Sequence, residues 1–371
     1  MTRAPRPLSP IRVLLLCGGR SAEHQISCLS AAHVLDALDP DRYRVTTVGI
    51  TREGRWTLAD GIPQRDDGLP SVSDDGDTVA LVSGRKGPHL VRFFTDGAVE
   101  DLGPVDVCFP VLHGPYGEDG TVQGLLATLG VPYVGADVAA SAVAIDKRQM
   151  KNVFTARGLP QVPYVALRRW RFEQDRAGVL EEIQAQLDYP MFTKPARQGS
   201  SIGICKVRTR AELAAGIDEA LQYDRSVLVE QGLEQVRELE CGVIGNTEID
   251  VTPPGEVITT HEFYDFEGKY LDDEGLQLRC PADVPDATRD ECIELARRAY
   301  LAIGARGMAR VDFFYVDGRV LVNEINTIPG FTAASMFPHI WATQGVSAAE
   351  LVDRLLSLAL EAADSEARYS P

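Results

Sequence analysis

Apolar positions along the chain follow two periods, and the switches between them lay out its elements. Ile11 to Cys17 is an apolar run, interrupted only by Arg12, ending in Gly18-Gly19, which reads as a buried strand. Ile26, Leu29, Val34, Leu35 and Leu38 then recur at roughly helical spacing, with Ser21 as the expected N-cap and Glu23 in the first turn. Arg44 to Ile50 and Val105 to Leu112 read as further strands. Strand–glycine–helix units of this kind predict a doubly wound α/β start to the chain, without the G-x-G-x-x-G of a dinucleotide site. Thr51 to Gly103 is polar and rich in Asp and Gly, and predicts only short strands in a variable insertion. A helix is expected from near Ser141, carrying Lys147 and Lys151 four apart on one face. Composition changes there, placing a domain boundary near residue 140. Beyond it come a strand with Lys194, a return strand in Ile202 to Val207, a helix over Arg210 to Gln222 and a long strand from Val227 to Asn246. Helices over Asp290 to Ile303 and Ser347 to Ala363 complete the pattern. The expected parts are 1–140, 141–236 and 237–371.

The chemistry gathers in Met308 to Met336, which reads as strand, tight turn at Asp317-Gly318, second strand and a Pro-Gly loop. Alternation puts Arg310, Asp312 and Phe314 on one face of the first strand, and Val322, Glu324 and Asn326 on one face of the second. Asp312, Glu324 and Asn326 offer hard oxygen ligands of the kind magnesium takes alongside phosphate and water. A two-residue turn in regular register would turn Glu324 away from Asp312. The reading therefore predicts a three-residue loop over Val316 to Gly318, or an equivalent bulge, with Asp312 facing Val322 and Glu324 diagonal to it.

A glycine-rich turn joins the strand of Lys194 to its return strand. Gly199, Ser200 and Ser201 are small enough for backbone N–H groups to approach phosphate oxygens, with Lys194 supplying charge. Gly199 to Gly203 also fits the G-x-S-x-G elbow of serine hydrolases, but an elbow must feed a helix. Ile202 to Val207 has β-formers and no helical period, so that reading is rejected.

Composition changes the picture only at the margins. The 371 residues suggest two or three domains. A net charge of −17 argues against nucleic acid or an anionic membrane as partner, and makes a few well-placed lysines matter for any polyanionic substrate. No apolar run approaches a membrane span, and the basic, proline-rich N-terminus lacks a cleavage site and reads as a tail. Seven cysteines without a C-x-x-C pair predict free thiols in a reducing cytoplasm.

Taken together, the motif with Arg310, Asp312, Glu324 and Asn326, the Thr327-Ile328-Pro329-Gly330 loop and matching motifs through most of the chain resemble the D-alanine–D-alanine ligases of the ATP-grasp superfamily. The resemblance implies an ATP-grasp architecture: a doubly wound N-terminal domain, a small central α+β domain and a larger C-terminal α+β domain, with ATP between the last two. It implies ligation of two D-alanines through an acyl phosphate for peptidoglycan precursors, ATP as substrate, two magnesium or manganese ions at Asp312, Glu324 and Asn326, and a homodimer. By the same resemblance Glu23 holds the first D-alanine's amino group and His113 lies near that substrate, as a proton-transfer group or a hydrogen-bond donor. Lys147 reaches a phosphate, Glu230 and Leu233 take the adenine edge partly through backbone, and Glu238 takes the ribose. Phe314 packs under the adenine or in the core. Residues 260–285 match the active-site lid, with Lys269 on the γ-phosphate and Tyr270 closing onto Ser200 and Glu23; the tyrosine favours an amine as acceptor. Arg310 and the Gly330 N–H match the oxyanion donors, and Ser335 and the Met336 N–H hold the second carboxylate. Two rivals stand beside this reading: a related ligase with D-lactate or D-serine as acceptor, and a silent nucleotide or D-amino-acid binder.

Overall fold

A computed structural model of the protein describes residues 9–59, 61, 68–259 and 276–369. Three sheets organise it. The first runs in the order β6-β5-β4-β3-β2-β1-β7, built from β1 (Ile11–Gly18), β2 (Tyr43–Ile50), β3 (Trp56–Ala59), β4 (Thr78–Gly84), β5 (Gly87–Phe93), β6 (Val99–Pro104) and β7 (Val107–Pro110). Its heart is β1, parallel to β2 and to β7 and almost wholly buried from Val13 onward, as the apolar run after Arg12 requires. The stretch read as a variable insertion is instead an antiparallel extension, β3 to β6. The short connections of β2 to β3, β4 to β5 and β5 to β6 permit only antiparallel neighbours. Helix His24–Ala37 packs on β1. Ser21 is not its N-cap: Glu23 occupies that place, while the Ser21 hydroxyl donates to the His113 carbonyl at 2.7 Å.

The second sheet is antiparallel, in the order β10-β9-β11-β8, from β8 (Tyr164–Arg168), β9 (Met191–Pro195), β10 (Cys205–Val207) and β11 (Ser226–Gln231). Helices Arg169–Gln174, Arg176–Gln186 and Arg210–Tyr223 cover it, burying Phe172, Leu180, Ile183, Leu213 and Ile217. The segment expected as one long strand breaks after Gln231. Its second half, β12 (Arg237–Gly245), joins the third sheet with β13 (Ile249–Val251), β14 (Gly255–Thr259), β15 (Leu276–Arg279), β16 (Gly307–Val316) and β17 (Arg319–Asn326), in the order β15-β14-β12-β16-β17 with β13 beside β12. The break carries the chain from one sheet to the other and leaves a cleft between them.

The helix expected near Ser141 is two, Val138–Ile145 and Lys147–Ala156. The Asp146 side chain caps the second by accepting from the N–H groups of Arg148 and Gln149 at 3.2 Å each. Both helices bury Ala140, Ala144, Met150 and Phe154 against the third sheet, together with helix Asp286–Ala302. The last helix, Ala348–Ala367, starts at a capping box of Ser347 and Glu350. Its Leu351, Val352, Leu355 and Leu356 share a core with Val13, Leu15 and Val34 of the N-terminal layer. The two ends of the chain are thereby packed into one apolar cluster.

Candidate active site

The β16–β17 hairpin turns on two residues, Asp317 at φ +50° and Gly318 at φ +72°, the left-handed pair that matches the twist of adjoining strands. The extra residue lies in the strand: Phe313 faces Val322 while Asp312 faces Glu324, so Asn323 is inserted as a β-bulge. The three-residue loop is thus corrected to a two-residue turn plus the bulge that was its stated equivalent. Val322 is corrected too; it is buried opposite Phe313 rather than sharing the face of Glu324. Asp312 and Glu324 stand directly across from each other, and Arg310 stands across from Asn326.

Cations already neutralise these carboxylates. Arg310 donates Nε and Nη2 to the two oxygens of Asp312 at 2.7 Å each, and its Nε lies 2.9 Å from Glu240. Burial alone would weaken the Arg310 charge, but Asp312 and Glu240 outweigh it and raise its pKa. Asn326 Nδ2 donates to Asp312 at 2.9 Å. Lys147, first residue of its helix, sets Nζ 3.1 Å from Glu324 and donates to the Gln198 carbonyl at 3.0 Å. Burial opposes its charge as well, and Glu324 more than restores it. Among the described residues there is no group of three or more His, Cys, Asp and Glu side chains placed for a metal. The oxygen set here is two carboxylates and an amide that can turn its oxygen inward. That set fits magnesium or manganese sharing ligands with phosphate, and does not fit a thiolate- or imidazole-seeking metal.

Lys147, Glu240, Arg310, Asp312 and Glu324 floor an open cleft with about 1370 Å³ of empty space, adjoining solvent included. Lys194, Ser200, Ser201, Glu230, Leu233, Glu238 and Phe314 also line it, so the cleft gathers the described residues read as nucleotide-binding. Ser200 and Ser201 have φ of +48° and +59°, which bends the loop over the cleft; no helix follows it, in line with rejection of the hydrolase elbow. Lys194 lies 6.0 Å over the Phe314 ring. Glu238 is exposed at the rim, whereas Glu240 is bound to Arg310. The Glu230 carboxylate is held between Lys194 and Lys151, the latter at 2.8 Å. Burial works against its ionisation, but the two lysines hold its pKa at about 2. Its side chain is therefore occupied by the two lysines. Lys151, only 1% exposed, is a site-supporting residue that the i, i+4 spacing with Lys147 hinted at and nothing in the sequence marked as buried.

A smaller hollow of about 720 Å³ adjoins the cleft, lined by Glu23, His113, Glu118, Ser200, Arg310, Asn326 and Gly330 among others. Ser200 donates its hydroxyl to Glu23. His113 Nδ1 lies 3.0 Å from the Ile328 carbonyl and Nε2 3.0 Å from the Ser30 hydroxyl. Burial pushes the pKa of this imidazole below its ordinary value, against the pull of Glu23. Glu118 accepts from the N–H groups of Gly114 at 2.7 Å and Ile328 at 3.2 Å. Burial, reinforced by the charge of Glu23, pushes its pKa up to about 8. Ser335 accepts from the Thr332 N–H at 3.0 Å, and Met336 is buried with its sulfur 3.2 Å from Cys280. Lys269 and Tyr270 lie outside the described residues.

Residues 12–136 match the family model for the D-ala D-ala ligase N-terminus, and residues 153–357 match that for its C-terminus. The chain belongs to the D-alanine–D-alanine ligase family. A D-alanine–D-alanine ligase from Pseudarthrobacter chlorophenolicus is 45% identical over 96% of this chain and 94% of its own length. Among solved structures, the D-alanine-D-alanine ligase from Coxiella burnetii superposes with a TM-score of 0.82 at 31% identity, covering 97% of each chain. The VanG D-Ala:D-Ser ligase from Enterococcus faecalis does so at 0.80 and 31%, covering 95% of this chain and 100% of its own. The ligase has the mixed α/β fold of these ATP-grasp relatives and uses ATP as a substrate. Among the described residues no helix is long and apolar enough to cross a membrane.

Proposed function

We propose that the ligase joins two D-alanines through an acyl phosphate, supplying a dipeptide for peptidoglycan precursors. A carboxylate is a poor electrophile toward an amine, so the first D-alanine must be activated. Its carboxylate oxygen attacks the γ-phosphorus of ATP, and the bond to the bridging oxygen breaks to release ADP. The amine of the second D-alanine then attacks the acyl carbon and loses a proton. Collapse of the tetrahedral intermediate expels phosphate with the C–O bonding pair.

The observation that carries this reading is the Asp312–Glu324 pair, aligned across two strands in a cleft lined by cations that include Lys147, Lys194 and Arg310. Phosphoryl transfer needs mainly positioning and charge neutralisation. Asp312, Glu324 and Asn326 would hold two magnesium or manganese ions, which supply positive charge to the phosphates when bound. Lys147 and Lys194 offset the remaining charge, and the backbone of Ser200 and Ser201 covers the phosphates. Leu233 and the backbone of Glu230 take the adenine edge, Phe314 its face and Glu238 the ribose. Glu23 holds the first ammonium, beside His113. Arg310 and the Gly330 N–H stabilise the oxyanion, each donor worth about 3 kcal/mol. Ser335 and the Met336 N–H take the second carboxylate, and Lys269 and Tyr270 belong to the lid. The same proposal makes the ligase a cytoplasmic homodimer of three domains, 1–140, 141–236 and 237–371.

Purified protein with ATP, magnesium and D-alanine should yield phosphate and D-alanyl-D-alanine in equal amounts, and neither with L-alanine. A preference for D-serine or D-lactate as second substrate would overturn the acceptor assignment. Absence of phosphate release with all of them would overturn the ligation itself. Sedimentation of the protein as a monomer would remove the homodimer.

A further inference from the structure

The loop Thr327 to Phe331 follows β17 and carries the Gly330 N–H, yet it is held from the N-terminal layer. Both backbone polar groups of Ile328 are taken by side chains of the β7-to-helix connection: its N–H by Glu118 at 3.2 Å and its carbonyl by His113 Nδ1 at 3.0 Å. Two residues beyond, the Phe331 N–H donates to the Ser30 hydroxyl at 3.2 Å, which lies 3.0 Å from His113 Nε2.

Hydrogen-bond roles follow from chemistry. A carbonyl only accepts, so His113 Nδ1 carries the hydrogen, and in a neutral ring Nε2 is then the acceptor. The Ser30 hydroxyl donates to Nε2 and keeps its lone pairs for the Phe331 N–H. Both nitrogens of His113 are consumed, which removes it as a proton shuttle for substrate. Ser30 is fully buried on helix His24–Ala37 and lines neither the cleft nor the hollow.

From these contacts we infer that Ser30 is a positioning residue for ligation: with His113 and Glu118 it fixes the loop that aims the Gly330 N–H. The inference rests on the reading of that N–H as an oxyanion donor. It makes the helix after β1 part of the machinery that serves the third sheet, with no contact to substrate.

Ser30→Ala deletes one donor and one acceptor at a buried place, leaving Nε2 and the Phe331 N–H without partners. The kcat for dipeptide formation should fall about a hundredfold, the order that misplacing a positioned group costs, while the KM for ATP changes less than about twofold. Scrambling of oxygen-18 from the β,γ-bridge of ATP in the presence of D-alanine reports acyl-phosphate formation, and should persist. Ser30→Thr, which keeps the hydroxyl, should recover most of the kcat, and Glu118→Gln should reproduce the Ser30→Ala pattern by losing one of its two acceptors. Unchanged kcat in Ser30→Ala overturns the inference. So does an equal loss of scrambling and ligation with a lowered Tm, which would be general damage. Amide exchange supplies an arm independent of turnover: Ile328 and Phe331 should exchange faster in Ser30→Ala, and unchanged protection overturns the brace. A parent protein that makes no dipeptide overturns the proposed reaction, while the exchange arm still judges the contacts.

Discussion

At the scale of single residues, the site is shaped by buried charges that only make sense together. Glu230 sits between Lys151 and Lys194, and Lys151 has no water to fall back on. Removing one member of a buried ion pair typically costs 3–5 kcal/mol, because the other charge stays buried. Lys151→Met should therefore destabilise the ligase by about 3 kcal/mol in urea unfolding, the lower end, since Glu230 keeps Lys194. It should also raise the KM for ATP, as Lys194 becomes the only counter-charge of Glu230 and is harder to draw toward phosphate. Adding Glu230→Gln to that variant should return most of the stability; no recovery would mean that packing, not charge, governs the position. Glu118 gives the opposite case. Its folded pKa of about 8 lies above the ordinary 4.5, so between those values the folded chain binds more protons than the unfolded one. Its contribution is complete below about 4.5 and is lost as pH rises through about 8. Tm measured across that window should fall with rising pH, and Glu118→Gln should flatten part of the slope.

At the scale of elements, the β16–β17 hairpin shows what the residue pattern could and could not convey. The two strands and their turn were legible, because alternation and Asp-Gly are local signals, whereas the shared face of Asp312 and Glu324 was expected only because a common metal ion requires it. The position of the extra residue was not. Asp-Gly satisfies a two-residue turn by itself, and no local residue pattern marks the bulge at Asn323. The strand that breaks after Gln231 did carry a local sign, Gly232 with Glu234-Gln235, but nothing local shows that the chain crosses there between sheets. Short strands were expected across β3 to β6, but not their bounds or their pairing into the first sheet, because they are largely half-exposed and carry no clean apolar face. The pairing of the carboxylates leads to a direct test. Glu324→Gln keeps the side chain's shape and its place opposite Asp312 but removes an anionic oxygen. Magnesium-dependent phosphate release should fall by more than about a hundredfold, beyond what loss of an outer partner of a metal site costs. Unchanged turnover would remove the metal assignment.

At the scale of the whole molecule, the last helix and the N-terminal sheet share a core, and Ser30, His113 and Glu118 reach from the N-terminal layer to the oxyanion loop. None of these meetings had a signal in the chain, since 83 residues separate Ser30 from His113 and 210 separate Glu118 from Ile328. The cleft nevertheless gathers the described residues read as nucleotide-binding together with Asp312 and Glu324, while Asn326 lines the adjoining hollow. What the motif could not reveal is their pairing. In a chain of net charge −17, Arg310 and Lys147 are committed to Asp312 and Glu324. ATP alone would bring further negative charge to cations already engaged, and a divalent ion alone would compete with those cations for the same carboxylates. With both supplied, Asp312 and Glu324 would hold the proposed ion, leaving Lys147 and Arg310 available to phosphate. Thermal stabilisation should therefore be more than additive: small with ATP and EDTA, small with magnesium alone, and a few degrees with both, following the roughly 2.7 kcal/mol expected at a hundred times Kd. Differential scanning calorimetry over the four conditions measures the coupling. Equal shifts with ATP in the presence and absence of magnesium would mean that the two carboxylates hold lysine and arginine throughout, and that the ion plays no part at this face of the sheet.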